Sequence, residues 1–72
     1  MRKVIKLIDL DCAHCAEKIQ RAVGKIDGVT HAEVNFLGQK MVVEAEESQW
    51  EAIAEQAVKI VKKIEPDVTV KL

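Results

Sequence analysis

Apolar and polar positions alternate along the start of the chain, KVIKLIDL, with Ile5 and Leu7 on one face and Lys6 between them. A period of two predicts a strand from Lys3 to Leu10. From Ala13 the period changes. Ala16, Ile19, Ala22, Val23 and Ile26 recur at helical spacing, while Glu17, Lys18, Gln20, Arg21 and Lys25 take the other face. That predicts an amphipathic helix of about three turns, fading at Gly24 and Gly28, with Gly28 supplying a positive-φ turn. Alternation returns in Val29 to Phe36, where Ala32, Val34 and Phe36 share a face. Leu37-Gly38-Gln39 and then KMVVEA complete a predicted β-hairpin with a short glycine-bearing loop. Ser48-Gln49-Trp50-Glu51 matches a capping box and predicts the start of a second helix. Its apolar stripe is Trp50, Ile53, Ala54, Ala57, Ile60, Val61 and Ile64, and Pro66 ends it. Val68, Val70 and Leu72 alternate as a closing strand.

The resulting order is βαββαβ. Two helices with one apolar stripe each must be buried on one side of a four-stranded antiparallel sheet, so the predicted fold class is α+β, a ferredoxin-like sandwich. A right-handed crossover through the first helix makes the second strand parallel to the first, with the third between them and the fourth on the far edge. Three segments then share one end of the domain: the first strand-helix loop with Asp11 to Cys15, the hairpin loop Leu37 to Gln39, and the turn Lys63 to Asp67. His31 falls at the other end, several residues away at roughly 3.3 Å of strand rise each.

Composition narrows the picture further. With 72 residues, 49% hydrophobic and 32% charged, residues 1–72 form one globular domain. Eleven Lys and Arg against twelve Asp and Glu give a net charge of -1, without the basic excess that nucleic-acid binding requires. No apolar run approaches the ~20 residues that span a bilayer, and no secretory signal pattern is present. The expectation is a soluble, cytoplasmic, monomeric domain with no nucleic-acid partner and no direct membrane insertion. Because the chain starts at the first strand and ends in the last, it also reads as a domain cut from a longer protein.

Only two cysteines are present, Cys12 and Cys15. A disulfide between them would close a loop too small to remove much chain entropy, so a structural staple is the weakest reading. In a cytosolic setting C-x-x-C points to metal binding or thiol redox chemistry. Cys12 in the loop and Cys15 in the first helical turn face unpaired N-H groups and the positive end of the helix dipole, which favours thiolate at both. A thiol oxidoreductase is disfavoured because the chain lacks an aromatic residue before the first cysteine, a strand-proline pairing and the length of a thioredoxin fold. No catalytic constellation accompanies the cysteines, so the domain alone is not expected to be an enzyme.

The strand ending in an apolar residue, then C-x-x-C, the helix, "GV" and "AEVNF" resemble the heavy-metal-associated domain found at the N-termini of heavy-metal P-type ATPases and as free metallochaperones. The resemblance covers essentially the whole chain. It implies one metal ion held by Cys12 and Cys15, passed by ligand exchange to a membrane metal transporter or to other domains of the same transporter, with Leu10 packed beneath the loop. Two positions depart from the common pattern. Asp9 stands where the family usually has glycine, and aspartate tolerates left-handed backbone better than most residues. Asp11 precedes Cys12, where copper-handling members mostly carry threonine or histidine and the zinc, cadmium and lead exporters carry aspartate.

The chemistry agrees with that division. Cu(I) is satisfied by two thiolates, and a carboxylate beside them adds only repulsion. Zn(II) seeks four ligands, so Cys12, Cys15 and Asp11 would leave a fourth position for water or a partner's ligand. Zn(II), Cd(II) or Pb(II) is therefore the expected cargo, with Cu(I) the alternative and Hg(II) a further thiolate-compatible ion. His14 is expected to point outward and to favour the thiolates by charge, His31 to be a surface strand residue, Ile64 to shield the site, and Glu65 to be solvated. The run Glu44, Glu46 and Glu47 reads as a solvated edge, and Trp50 as core.

Overall fold

A computed structural model describes all residues, Met1–Leu72. Its elements are β1 (Arg2–Ile8), α1 (Ala13–Gly24), β2 (Val29–Asn35), β3 (Lys40–Ala45), a short 3-10 turn (Glu47–Gln49), α2 (Trp50–Ile64) and β4 (Thr69–Lys71). The sheet is antiparallel at every pairing, in the order β2-β3-β1-β4. This is the expected ferredoxin-like arrangement. Ile5, Leu7, Met41, Val43 and Ala45 project from one face of the sheet and are buried against Ala16, Ile19 and Val23 of α1 and Ile53, Ala57 and Val61 of α2. Removing each large aliphatic side chain from water contributes roughly 1.5–3 kcal/mol before chain entropy is subtracted. Val4 and Val42 pair across β1 and β3 on the opposite face, where Val4 is exposed.

The register orients the ends of the molecule. Arg2 lies opposite Glu44, Glu44 opposite His31, and Ile8 opposite Thr69. His31 thus sits at the end away from the cysteines, as the strand directions require. Met1 is tied down at that same far end, its ammonium donating to the Ala45 carbonyl at 2.9 Å while the Ala45 N-H donates back to Met1 at 2.9 Å. Gly28 adopts φ +95°, the positive value that its place after α1 predicts, and releases the chain into β2.

Two expectations are corrected. Ser48 does not cap α2: residues 47–49 form their own 3-10 turn, Gln49 occupies the N-cap position, and no side chain caps the helix. Tertiary packing of the apolar stripe outweighs the local capping motif there. The first strand also stops at Ile8, because Asp9 turns the chain into left-handed backbone at φ 67°. Leu10 therefore lies in the loop, where it is 2% exposed.

Candidate metal centre

The cysteine loop is shaped from beneath before it is shaped from within. Asp9 ends β1, and Leu10 buries its side chain in the core below the loop, as expected of an apolar residue there. Gln39, from the β2-β3 hairpin, reaches across to Leu10. Its Oε1 accepts the Leu10 N-H at 2.9 Å, while its Nε2 donates to the Leu10 carbonyl and, at 3.0 Å, to the Phe36 carbonyl. Nothing in the sequence pattern marked this glutamine. Its role depends on a contact between residues 29 apart in the chain, which no local period encodes.

Cys12 is the N-cap residue of α1, with extended backbone at φ -125° and ψ 113°. Its Sγ accepts the Cys15 N-H at 3.3 Å, and its carbonyl accepts the Ala16 N-H at 3.0 Å. A cysteine thus takes the place usually held by Ser, Thr, Asp or Asn, and the helix terminus presents its unpaired donors to sulfur. Both thiols are free and half-buried, and Cys15 packs against the hydrophobic core.

The two sulfurs are not equivalent. The Cys12 thiol is held below its ordinary value, first by a hydrogen bond from the Cys15 side chain and then by backbone N-H groups of Cys15 and His14. Cys15 is pushed up to about 11, because it is the proton donor to Cys12, because it is desolvated, and because negative charge on Cys12 and Glu65 opposes its ionisation. The expectation of thiolate character at both positions is thereby corrected. The two thiols shift in opposite directions, so the first ionisation of the pair is easy and the second is hard.

Glu65 is the carboxylate whose negative charge opposes ionisation of both thiols. Sequence reasoning placed it in solvent. It is instead half-buried, since α2 ends with the Glu65 N-H still donating to Val61 at 2.8 Å and the chain then turns back so that the Val68 N-H bonds Glu65 at 3.2 Å. Lys62 secures the same turn through the Val68 carbonyl at 2.6 Å. Asp11 is exposed, and so is His14, which contributes its backbone rather than its ring to Cys12. Ile64 is half-buried against the core. No three His, Cys, Asp or Glu side chains converge into a ready-made ligand cluster. His31 pairs instead with Glu33 at 3.6 Å on the distant strand.

Fold and site together define a small thiol-bearing domain of the metal-binding class. The sequence model of the heavy-metal-associated domain matches residues 4–70, and the chain belongs to that family. Similarity to individual proteins is consistent with it. The cadmium, zinc and cobalt-transporting ATPase of Bacillus subtilis (strain 168) is 41% identical over 64 residues, which is 86% of this chain and 9% of the ATPase. The copper chaperone CopZ of Staphylococcus epidermidis is 35% identical over 48 residues, 67% of this chain and 71% of the chaperone. A solved CopZ metallochaperone structure superposes with a TM-score of 0.76 at 23% identity, over 97% of this chain and 98% of that one, which establishes a shared fold.

Proposed function

We propose that the domain binds one Zn(II), Cd(II) or Pb(II) ion on Cys12 and Cys15 and passes it to a transporter or another partner by exchanging ligands one at a time. The observation that carries this reading is a solvent-accessible thiol pair with carboxylates on two of its flanks, Asp11 before the first cysteine and Glu65 from the α2-β4 turn. Thiolates with a carboxylate suit a borderline divalent ion and leave a position for an incoming ligand. Asp11 is assigned as the third ligand, and Glu65 as the carboxylate whose charge holds the proton on Cys15 and which competes for the ion. The likeness to the cadmium, zinc and cobalt-transporting ATPase favours the divalent reading. The chain spans 9% of that relative, so membership of a metal-exporting P-type ATPase is part of the proposal. No helix is long and apolar enough to cross a membrane, and a cytoplasmic face is the setting this reading assigns.

A Cu(I) chaperone is the second reading, favoured by the likeness to copper chaperone CopZ. Competition titrations of the reduced protein with Zn(II), Cd(II) and Cu(I) separate the two. Asp11→Ala is expected to lower Zn(II) and Cd(II) affinity about tenfold or more while sparing Cu(I). Unchanged divalent affinity in both Asp11→Ala and Glu65→Ala, with tight Cu(I) binding throughout, would instead select the copper reading. Full binding of every metal by Cys12→Ala would remove the thiol pair from the site altogether.

A further inference from the structure

We infer that Gln39 is a positioning residue for the metal loop, its side-chain amide acting as a clamp that fixes the Leu10 peptide and, through it, Asp11 and Cys12. The inference rests on the reading of Cys12 and Cys15 as metal ligands. The β1 ladder ends at Ile8, where it faces Thr69, and α1 begins at Ala13. Leu10 lies between them with its side chain buried, so its N-H and carbonyl have neither a strand nor a helix to bond. Both go to one amide group, that of Gln39. A side-chain amide can do both at once, accepting at its oxygen and donating at its nitrogen.

The clamp reaches further than one peptide. The Gln39 carbonyl also accepts the Leu7 N-H at 2.9 Å, so Gln39 brackets the segment from Leu7 to Leu10 and the left-handed Asp9 within it. Its third side-chain bond, to the Phe36 carbonyl, anchors the amide to its own hairpin. Gln39 itself is left-handed at φ 54°, and the Asn35 side chain secures the turn by accepting the Gly38 N-H at 2.8 Å. The hairpin loop is therefore a built support for the residue two before Cys12, with the amide plane fixed by three bonds. Loss of the clamp frees the Leu10-Asp11 peptide to rotate. The Asp11 carboxylate and the Cys12 sulfur then lose their fixed relation, and metal binding must restore it.

Two variants isolate the side-chain amide from the backbone turn. Gln39→Asn keeps a residue that favours left-handed backbone but falls one methylene short of Leu10. Gln39→Glu keeps the length and can accept the Leu10 N-H, yet it presents a carboxylate to two carbonyls it can no longer serve as a donor. Ile53→Val, which trims the core near Gly28 at the opposite end, serves as a control for stability alone. Cd(II) is titrated into each reduced protein against a chromophoric chelator, following the cadmium-thiolate absorption band. Amide exchange is read at Leu10 relative to Met41. Both Gln39 variants are expected to lose about tenfold or more in Cd(II) affinity and to exchange faster at Leu10, with Met41 unmoved. Ile53→Val is expected to lose stability and keep its Cd(II) affinity. Wild-type Cd(II) affinity in both Gln39 variants, or an equal loss in Ile53→Val, overturns the clamp. Absence of the band in the wild type overturns the metal reading instead, and the clamp as a metal-site device falls with it.

Discussion

Cys12 and Cys15 are three residues apart and chemically unlike. Cys12 collects backbone donors at the start of α1, whereas Cys15 keeps its proton, donates through it to Cys12 and faces the charge of Glu65. Alkylation of the reduced protein near neutral pH is therefore expected to mark Cys12 first, and thiolate absorbance should rise in two steps, the second near pH 11. The sign for stability follows for each. Cys12 ionises more readily folded than unfolded, so its contribution is lost as pH falls through its lowered value. Cys15 retains its proton longer in the folded state, so its contribution is present below the ordinary thiol value of 9.0 and is lost as pH rises toward 11. A single titration step, or equal alkylation of the two, would contradict this inequality. The cysteines were legible from spacing alone, but their inequality was not. It arises from which sulfur takes the N-cap, and C-x-x-C reads the same either way.

At the scale of elements, strands and helices announced themselves because burial on one face imposes a period of two or of 3.6. What local period could not carry lies at their ends. Ser48 and Glu51 spell a capping box, yet a 3-10 turn takes the place where the box would form. Glu65 follows the last turn of α2, and only the direction of chain reversal after Ile64 decides whether its charge is felt by the thiols. Gly28 shows the opposite case, since its positive φ was readable and its surroundings were not. A Cβ there would fall 2.1 Å from the Gln49 Oε1 and 3.0 Å from the Ile53 Cδ1. Gly28→Ala combines left-handed strain with this crowding and is expected to destabilise by about 1–3 kcal/mol, measured by urea unfolding. A variant as stable as the wild type would mean that the turn relaxes without cost.

Across the whole molecule, α1 and α2 are held to the sheet by one continuous core, and the site stands on its rim. Ile19, fully buried at the centre of α1, is bound to that core on every side. Ile19→Ala should cost about 2–5 kcal/mol, a large share of the ~5–15 kcal/mol typical of a folded domain. Thermal unfolding would show it, and a change under about 1 kcal/mol would mean that the core closes over the gap. The strand order, inferred from handedness alone, was correct, and it is what gathers three loops at one end. The same order keeps both chain termini clear of them. Met1 is pinned to Ala45 at the opposite end, and Lys71 already lies opposite Lys6, partway along β1, when the chain nears its last residue. A fluorophore, an affinity handle or a tether to a solid support attached at either terminus would leave the thiol end facing outward, so that loading and unloading can be watched on an immobilised molecule.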